Sequence, residues 1–307
     1  MLLFWIIFLV FVIILLVLDL GVFHKSDKAM GVRESLVWTG VSIGYSLTFC
    51  GVVYLIYENG WGGASENQMT GGEAALQYLT GYVIEKALSI DNVFVMAAIF
   101  SYFGIPAQYQ HRVLFWGILG AVLLRGVFIL SGAALLHYFH WVFYLFGAIL
   151  VISALRMFRQ KEHGAAGIDL GRLANGIGRF IPITQELRGH KLLYRRDGRW
   201  MATPLLVALL VIEFSDVLFA MDSIPAIFAV TQDPFIVFTS NIMAVLGLRS
   251  LYFAVAAMLR KFEHLKYSLA FILLFVGLKM LLMEIIKIPT LVSLGIILLL
   301  FLLGLLG

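Results

Sequence analysis

Apolar residues dominate this chain in long runs, and the polar residues between them fall into short connecting stretches. Nine runs read as spans: Leu2–Leu20, Leu36–Tyr57, Ala74–Phe103, Val113–Tyr138, Trp141–Phe158, Ala202–Thr231, Pro234–Arg260, Leu265–Ile286 and Ile288–Leu306. A hydrocarbon core of ~30 Å takes roughly 20 helical residues to cross. Lipid offers no partner to a free N–H or C=O, so such a run can cross only as a helix. The pattern predicts an all-α polytopic membrane protein with about nine transmembrane helices. The third and sixth runs exceed a perpendicular crossing and contain charges, so they should tilt, kink or begin outside the membrane. The first run lacks the basic start and small-residue cleavage site of a secretory leader and reads as a retained span.

Composition agrees: 62% of the 307 residues are hydrophobic and 13% charged, where a soluble domain carries about 25% charged residues. The net charge of +4 is no nucleic-acid signal, because Lys and Arg gather in loops, where they report orientation. The odd-numbered loops are basic. The first holds Lys25, Lys28 and Arg33; the third ends on His111 and Arg112; the seventh holds Arg260, Lys261 and Lys266. The fifth, the basic loop 159–201, carries Arg159, Lys161, Arg172, Arg179, Arg188, Lys191, Arg195, Arg196 and Arg199. ENGWGGASENQMTGGE, an even loop, has no Lys or Arg, and the last has only Lys287. The N-terminus should therefore face out, and the large loop and C-terminus should be cytoplasmic. That loop has little apolar periodicity. It reads as a solvated connector rather than a short amphipathic helix around Ile168–Ile181 on the anionic leaflet, and no soluble fold is evident in it. Cys50 is the sole cysteine, so there is no internal disulfide and no multi-Cys metal site.

The chain repeats itself. Glu85 and Asp91 stand six apart, as do Asp216 and Asp222, and each pair ends in a polar dipeptide, Asp91-Asn92 or Asp222-Ser223. GILGAVLLR, ending at Arg125, is matched by NIMAVLGLR, ending at Arg249. Tyr144 precedes Arg156-Met157 by twelve residues, as Tyr267 precedes Lys279-Met280. Each copy covers three spans, an odd number, so the second enters the membrane from the opposite side. Inverted repeats of this kind build many transporters, with the substrate near the midplane between the halves. The chain divides into two N-terminal spans (1–72), a first repeat (73–158), the basic loop (159–201), a second repeat (202–287) and a final span (288–307).

Among the charged residues within the spans are the acids Asp19, Glu85, Asp91, Glu213, Asp216 and Asp222 and the bases Lys86, Arg125, Arg249 and Lys279. A charge at the bilayer centre costs ~2.5–3.5 kcal/mol on insertion scales. Some of these groups must pair, and the acidic excess suggests a missing cation. Glu213 and Asp216 share a helical face. Glu85 and Asp91 stand about 120° apart on an ideal helix, as do Asp216 and Asp222. Either each pair points at two neighbours or the helix is locally broken, and Pro225 favours distortion in the second copy. Asp19, near the inner interface, could instead cap its helix. The candidate ligands are hard oxygens: the carboxylates of Glu85, Asp91, Glu213, Asp216 and Asp222, with Asn92, Asn241, Ser223 and freed carbonyls. Such a set suits Mg(II), Ca(II) or Mn(II). Met96, Met221 and Met243 lie near in sequence but read as core. Arg125, Arg249 and Lys279 read as counter-ion or gating groups. The competing reading makes the acids staples that pair with these bases and hold helices together.

The stretches LTGYVIEKALSIDNVFV, HRVLFWGILGAVLLR and EFSDVLFAMDSIPAIFAVTQDPFIVFTSNIMAVLGLRSLYF resemble the TerC family, and the length resembles its Alx branch. The resemblance runs from about Trp38 to the C-terminus. It implies a bacterial inner-membrane protein of the wider LysE-like transporter group, with a role in Mn(II) export and manganese homeostasis. The family name comes from tellurite resistance, and the Alx branch is associated with alkaline conditions and labelled a redox modulator. The sequence has no haem, flavin or dithiol motif. By position, the family's acids fall on Glu85, Asp91, Glu213, Asp216 and Asp222. The expectation is a divalent-cation exporter working by proton exchange, with Asp91 and Asp222 as main ligands and Glu85 and Asp216 as proton carriers. It would have no permanent cofactor, no nucleic-acid partner, no enzymatic activity, and membrane lipid around it. A non-transporting scaffold for metal, tellurite or alkaline stress resistance is the alternative.

Overall fold

The computed structural model describes residues 2–23, 31–61, 69–139, 141–159, 170–179, 181–184, 187, 189, 191–196, 199–256 and 265–306. Among these residues it has eleven helices: α1 (Leu2–Phe23), α2 (Val32–Glu58), α3 (Gly71–Tyr102), α4 (Ala107–Tyr138), α5 (Val142–Arg159), α6 (Leu170–Gly178), α7 (Pro204–Phe228), α8 (Pro234–Leu246), α9 (Leu248–Ala256), α10 (Leu265–Leu281) and α11 (Thr290–Leu306). Helix starts follow from local chemistry. Thr70 and Glu73 form a reciprocal capping box at α3. Pro204 opens α7 in a first turn where its missing N–H is no loss. Asp233 accepts from Phe235 N and Ile236 N, and Pro234 follows it, at α8.

Among the described residues, four helices are long and apolar enough to cross a membrane: α2, α4, α5 and α7. The pair α8 and α9 makes a fifth crossing if its bend counts as one span. α1, α10 and α11 contain shorter apolar stretches, and α3, with 32 residues, carries Glu73, Glu85, Lys86 and Asp91. The molecule is thus an α-helical membrane protein.

The backbone break lies elsewhere than the prolines suggest. α7 runs unbroken through Asp216, Asp222 and Pro225. Pro225 falls in its last turn, where the backbone bond it forfeits leaves most of the helix intact. The bend is in the predicted span Pro234–Arg260, where α8 and α9 meet at 43° across Gly247. A Cβ on Gly247 would stand 2.4 Å from Ser42 Oγ and 2.8 Å from Lys86 Nζ, so only glycine lets α2 and α3 approach here. Lys86 Nζ donates to Ala244 O at 3.2 Å. The ammonium thus serves a carbonyl in the last turn of α8, where cations are favoured.

α3 packs on α8 and α4 on α7; α3 packs on α7, α4 on α8, and α5 on α10. α1 lies against α8 through Trp5 and Phe8, whose rings meet Phe235 and Phe238. The α5–α10 crossing is close because it is glycine on glycine. A Cβ on Gly277 would stand 3.0 Å from Gly147 O, and one on Gly147 would stand 2.9 Å from Leu281 Cγ. Small residues at helix crossings are how membrane helices gain contact where lipid supplies little drive.

The basic loop departs from expectation, since it is structured among its described residues. α6 falls inside the Ile168–Ile181 stretch. β1 (Leu193–Arg196) pairs antiparallel with β2 (Arg199–Ala202), Arg196 facing Arg199. The dipeptide between them, Asp197-Gly198, is a strong hairpin signal. Lys25, Lys28, Arg260 and Lys261, used above for orientation, lie outside the described residues.

The α5–α10 crossing generates a paired prediction. Gly277→Val should lower the thermal unfolding midpoint of the purified protein, by an overpacking cost of about 1–3 kcal/mol. Gly295→Ala in α11, with nothing within 4 Å, should leave the midpoint unchanged or raise it. Equal behaviour of the two variants would mean that the crossing is not tightly packed.

Candidate functional site

The buried charges converge on one guanidinium. Arg125 of α4 has no exposed surface. Its Nε donates to Asp216 Oδ2 at 3.0 Å and its Nη2 to Asp216 Oδ1 at 2.8 Å, a bidentate pair to α7. Its Nη1 donates to Glu85 Oε1 of α3, to Asn241 Oδ1 of α8 at 3.1 Å, and to Ser223 Oγ of α7 at 3.5 Å. Asn241 Nδ2 donates to Glu85 Oε2 at 3.0 Å, and Asn92 Nδ2 to Asp216 Oδ1 at 3.4 Å. All four carboxylate oxygens of Glu85 and Asp216 therefore accept N–H donors. Glu85, Asp216, Asn92, Asn241 and Ser223 are all buried.

The other acids of the two motifs point elsewhere, as unbroken helices require. With α3 and α7 continuous, six residues of rotation turn Asp91 away from Glu85 and Asp222 away from Asp216. Asp91 and Asp222 are half-buried on the wall of a cavity of about 440 Å³ that also touches Glu85, Asn92, Arg125 and Ser223. Asp222 Oδ1 accepts from Ser153 Oγ of α5 at 2.7 Å, and Arg156, one turn further along α5, lines the same cavity. The Oδ1 of Asn92, buried, has no hydrogen-bond partner. Among the described residues no three His, Cys, Asp or Glu side chains gather into a cage for a metal ion. A cation in this cavity would take Asp91 or Asp222 with amide and hydroxyl oxygens, or it would displace Arg125 and take Glu85 and Asp216.

The remaining sequence candidates sit apart. Glu213 lies over Gly120 of α4, where a Cβ would stand 2.0 Å from its Oε1, and its buried Oε2 has no partner. Arg249, at the sequence position matching Arg125, is buried and lines a different cavity, with Leu16 of α1 and Trp38 and Ser42 of α2. Lys279 donates to Ser293 Oγ of α11 at 3.0 Å and lines a second cavity of about 470 Å³ with Asp233 and Gln77. The side chain of Asp19 lies outside the described residues. Sequence reasoning missed Ser153 as the partner of Asp222. It ranked Arg156 only as a repeat landmark, although that landmark was the signal, since Arg156 and Lys279 occupy matched positions and each lines a cavity.

Comparison with known proteins bears on this arrangement. The model of the integral membrane protein TerC family matches residues 70–307. An uncharacterized membrane protein of Myxococcus xanthus is 48% identical over 295 residues, covering 95% of this chain and 88% of the relative. One from Rickettsia bellii is 41% identical over 300 residues, covering 98% and 95%. A protein of Escherichia coli K12, named Alx and described as a candidate membrane-bound redox modulator, is 42% identical over 293 residues, covering 94% and 89%. No solved structure matches the chain significantly.

The geometry generates a stability prediction. Arg125→Leu strands two buried carboxylates and should cost about 3–5 kcal/mol, the penalty for breaking a buried pair. Adding Glu85→Gln and Asp216→Asn should restore much of the loss, because no charge is then stranded. Detergent-solubilised yield and melting midpoint read both effects. A triple variant as unstable as the single one would mean that Arg125 acts through packing alone.

Proposed function

We propose, from the premise that this chain belongs to the TerC family of integral membrane proteins, that it exports a divalent cation, Mn(II) foremost, in exchange for protons. On this reading it crosses a bacterial inner membrane nine times, with the N-terminus outside and the large loop and C-terminus in the cytoplasm. The two three-helix repeats are inverted copies. In support, the contacts pair as a two-fold axis would pair them: α3 on α8 mirrors α7 on α4, while α3–α7, α4–α8 and α5–α10 map onto themselves. Gly147 and Gly277, which touch, align with Ala270 and Ala154, both fully buried.

The observation that carries the proposal is the cavity bounded by Asp91, Asp222 and Asn92 on one side and the Arg125 cluster on the other. Its donors are oxygens, and Asn92 Oδ1 faces no hydrogen. That is the ligand chemistry of Mg(II), Ca(II) and Mn(II). Asp91 and Asp222 would receive the cation, while Arg125 occupies Glu85 and Asp216 in its absence. Charge counting connects metal to protons. Glu85, Asp216 and Arg125 sum to −1. One added proton brings the group to zero, and so does replacing Arg125 by a divalent cation between the two carboxylates. Metal and protons then compete for one set of oxygens.

The scaffold reading has one observation in its favour: Glu85 and Asp216 are in fact stapled by Arg125. It does not by itself account for the cavity of about 440 Å³ that Asp91 and Asp222 line. As for the redox label of the E. coli relative, Cys50 is the only cysteine here, so a dithiol within one chain is out of reach.

Asp91→Asn and Asp222→Asn keep side-chain volume and remove one charge each. Each should reduce Mn(II) flux in sealed vesicles to near the rate of vesicles lacking the protein, at unchanged membrane abundance. Full flux in both variants would return the acids to a structural role and favour the scaffold.

A further inference from the structure

The hairpin β1–β2 stands at a membrane boundary and cannot leave it. α7 is long and apolar enough to cross the membrane, and its first residue, Pro204, lies four residues from Trp200, a reach of at most ~14 Å. The connection is also pinned. Thr203 N donates to Leu192 O at 3.0 Å and Thr203 Oγ1 to Lys191 O at 2.9 Å, while Ala202 N donates to Pro182 O at 2.9 Å and Thr184 N to Ala202 O at 3.0 Å. Trp200 is thus held within ~14 Å of the first residue of α7.

One face of this hairpin is unusual for a solvated loop. Arg195 and Trp200 are cross-strand partners, and Leu193 shares their face by the two-residue period of a strand. Leu193 is 41% exposed and Trp200 60%, and the two border a shallow apolar groove with Ile181 and Pro182. Arg195, Lys191 and Arg179 around them are exposed. Tyr194, on the opposite face, is buried. The loop 159–201 holds nine Lys or Arg against four Asp or Glu. A Trp ring bordered by cations, fixed at the membrane boundary, matches a headgroup layer, where indoles partition and anionic lipids attract Lys and Arg.

We propose that the Leu193–Arg195–Trp200 face docks on the membrane surface itself, with Trp200 and Leu193 entering the headgroup layer and Arg179, Lys191 and Arg195 binding anionic lipid phosphates. The partner is lipid rather than a soluble protein, because the start of α7 fixes the distance and the loop supplies the opposite charge. The inference stands apart from metal transport: it needs only that α7 spans the membrane.

The test uses the full chain in nanodiscs. The emission of Trp200 is the difference between the unaltered protein and Trp200→Phe, the other five tryptophans being common to both. Brominated lipids should quench that difference in anionic phosphatidylglycerol discs. Quenching should fall by roughly two-fold or more in the triple variant R179Q/K191Q/R195Q, in purely zwitterionic discs, or at ~1 M salt, where the Debye length shrinks to about 3 Å. If Trp200→Phe does not fold, a nitroxide at Leu193→Cys in a Cys50→Ser background reads the same contact, being more accessible to oxygen than to a water-soluble nickel chelate. Emission quenched by aqueous iodide and untouched by bromolipid would overturn the proposal and leave the face to water or a protein. Lipid quenching indifferent to headgroup charge and to salt would overturn the phosphate-binding part.

Discussion

One guanidinium sets the terms for this fold. Arg125 reaches from α4 to carboxylates on α3 and α7 and to an amide on α8, so four helices meet at one buried charge. Burying a charge is expensive in any protein and more so at membrane depth. Here the cost is offset by a bidentate ion pair, a second carboxylate and two amides that take up the remaining hydrogen-bonding capacity. The arrangement has little slack. Every carboxylate oxygen is engaged, so a ligand that takes one must displace something, and the negative charge left over decides which ligands are welcome.

On the inverted-repeat reading proposed above, the same cluster shows how far the two halves have diverged. Glu85 and Asp216, matched in sequence, both accept from one guanidinium. Their arginines differ: Arg125 lies between them, while Arg249 lines a different cavity with residues of α1 and α2. The helices carrying the two arginines differ as well, α4 being one unbroken helix of 32 residues and its counterpart bending by 43° at Gly247. Lys86 supplies part of the reason. It follows Glu85 and donates to the last turn of α8, whereas the residue after Asp216 is Val217, which has nothing to donate.

Much of this was legible in the chain. Charges in an apolar run are costly enough to demand partners, and their order along the sequence is what suggests a repeat. The six-residue spacing stated that each acidic pair must diverge unless the helix broke. What the sequence did not reveal was which alternative held. Pro225 advertised a break that its place in the last turn made harmless, while the real bend came at Gly247, a glycine whose importance lies in Ser42 and Lys86 crowding it from other helices. Nor could spacing assign partners across helices: Ser153 meeting Asp222, and Arg249 lining a different cavity from Arg125, are outcomes of packing. The hairpin had a local signal of its own, the dipeptide Asp197-Gly198.

The account's central claim is that divalent metal and protons compete for one set of carboxylates around Arg125. The direct test is simultaneous recording of Mn(II) and proton movement in liposomes holding the purified protein, with an imposed pH gradient as the only driving force. The account predicts that Mn(II) leaves the compartment against its own gradient as that compartment gains protons, and that a proton ionophore abolishes the uphill movement. Mn(II) flux that proceeds at the same rate with no pH change, and that ignores the gradient, would contradict it.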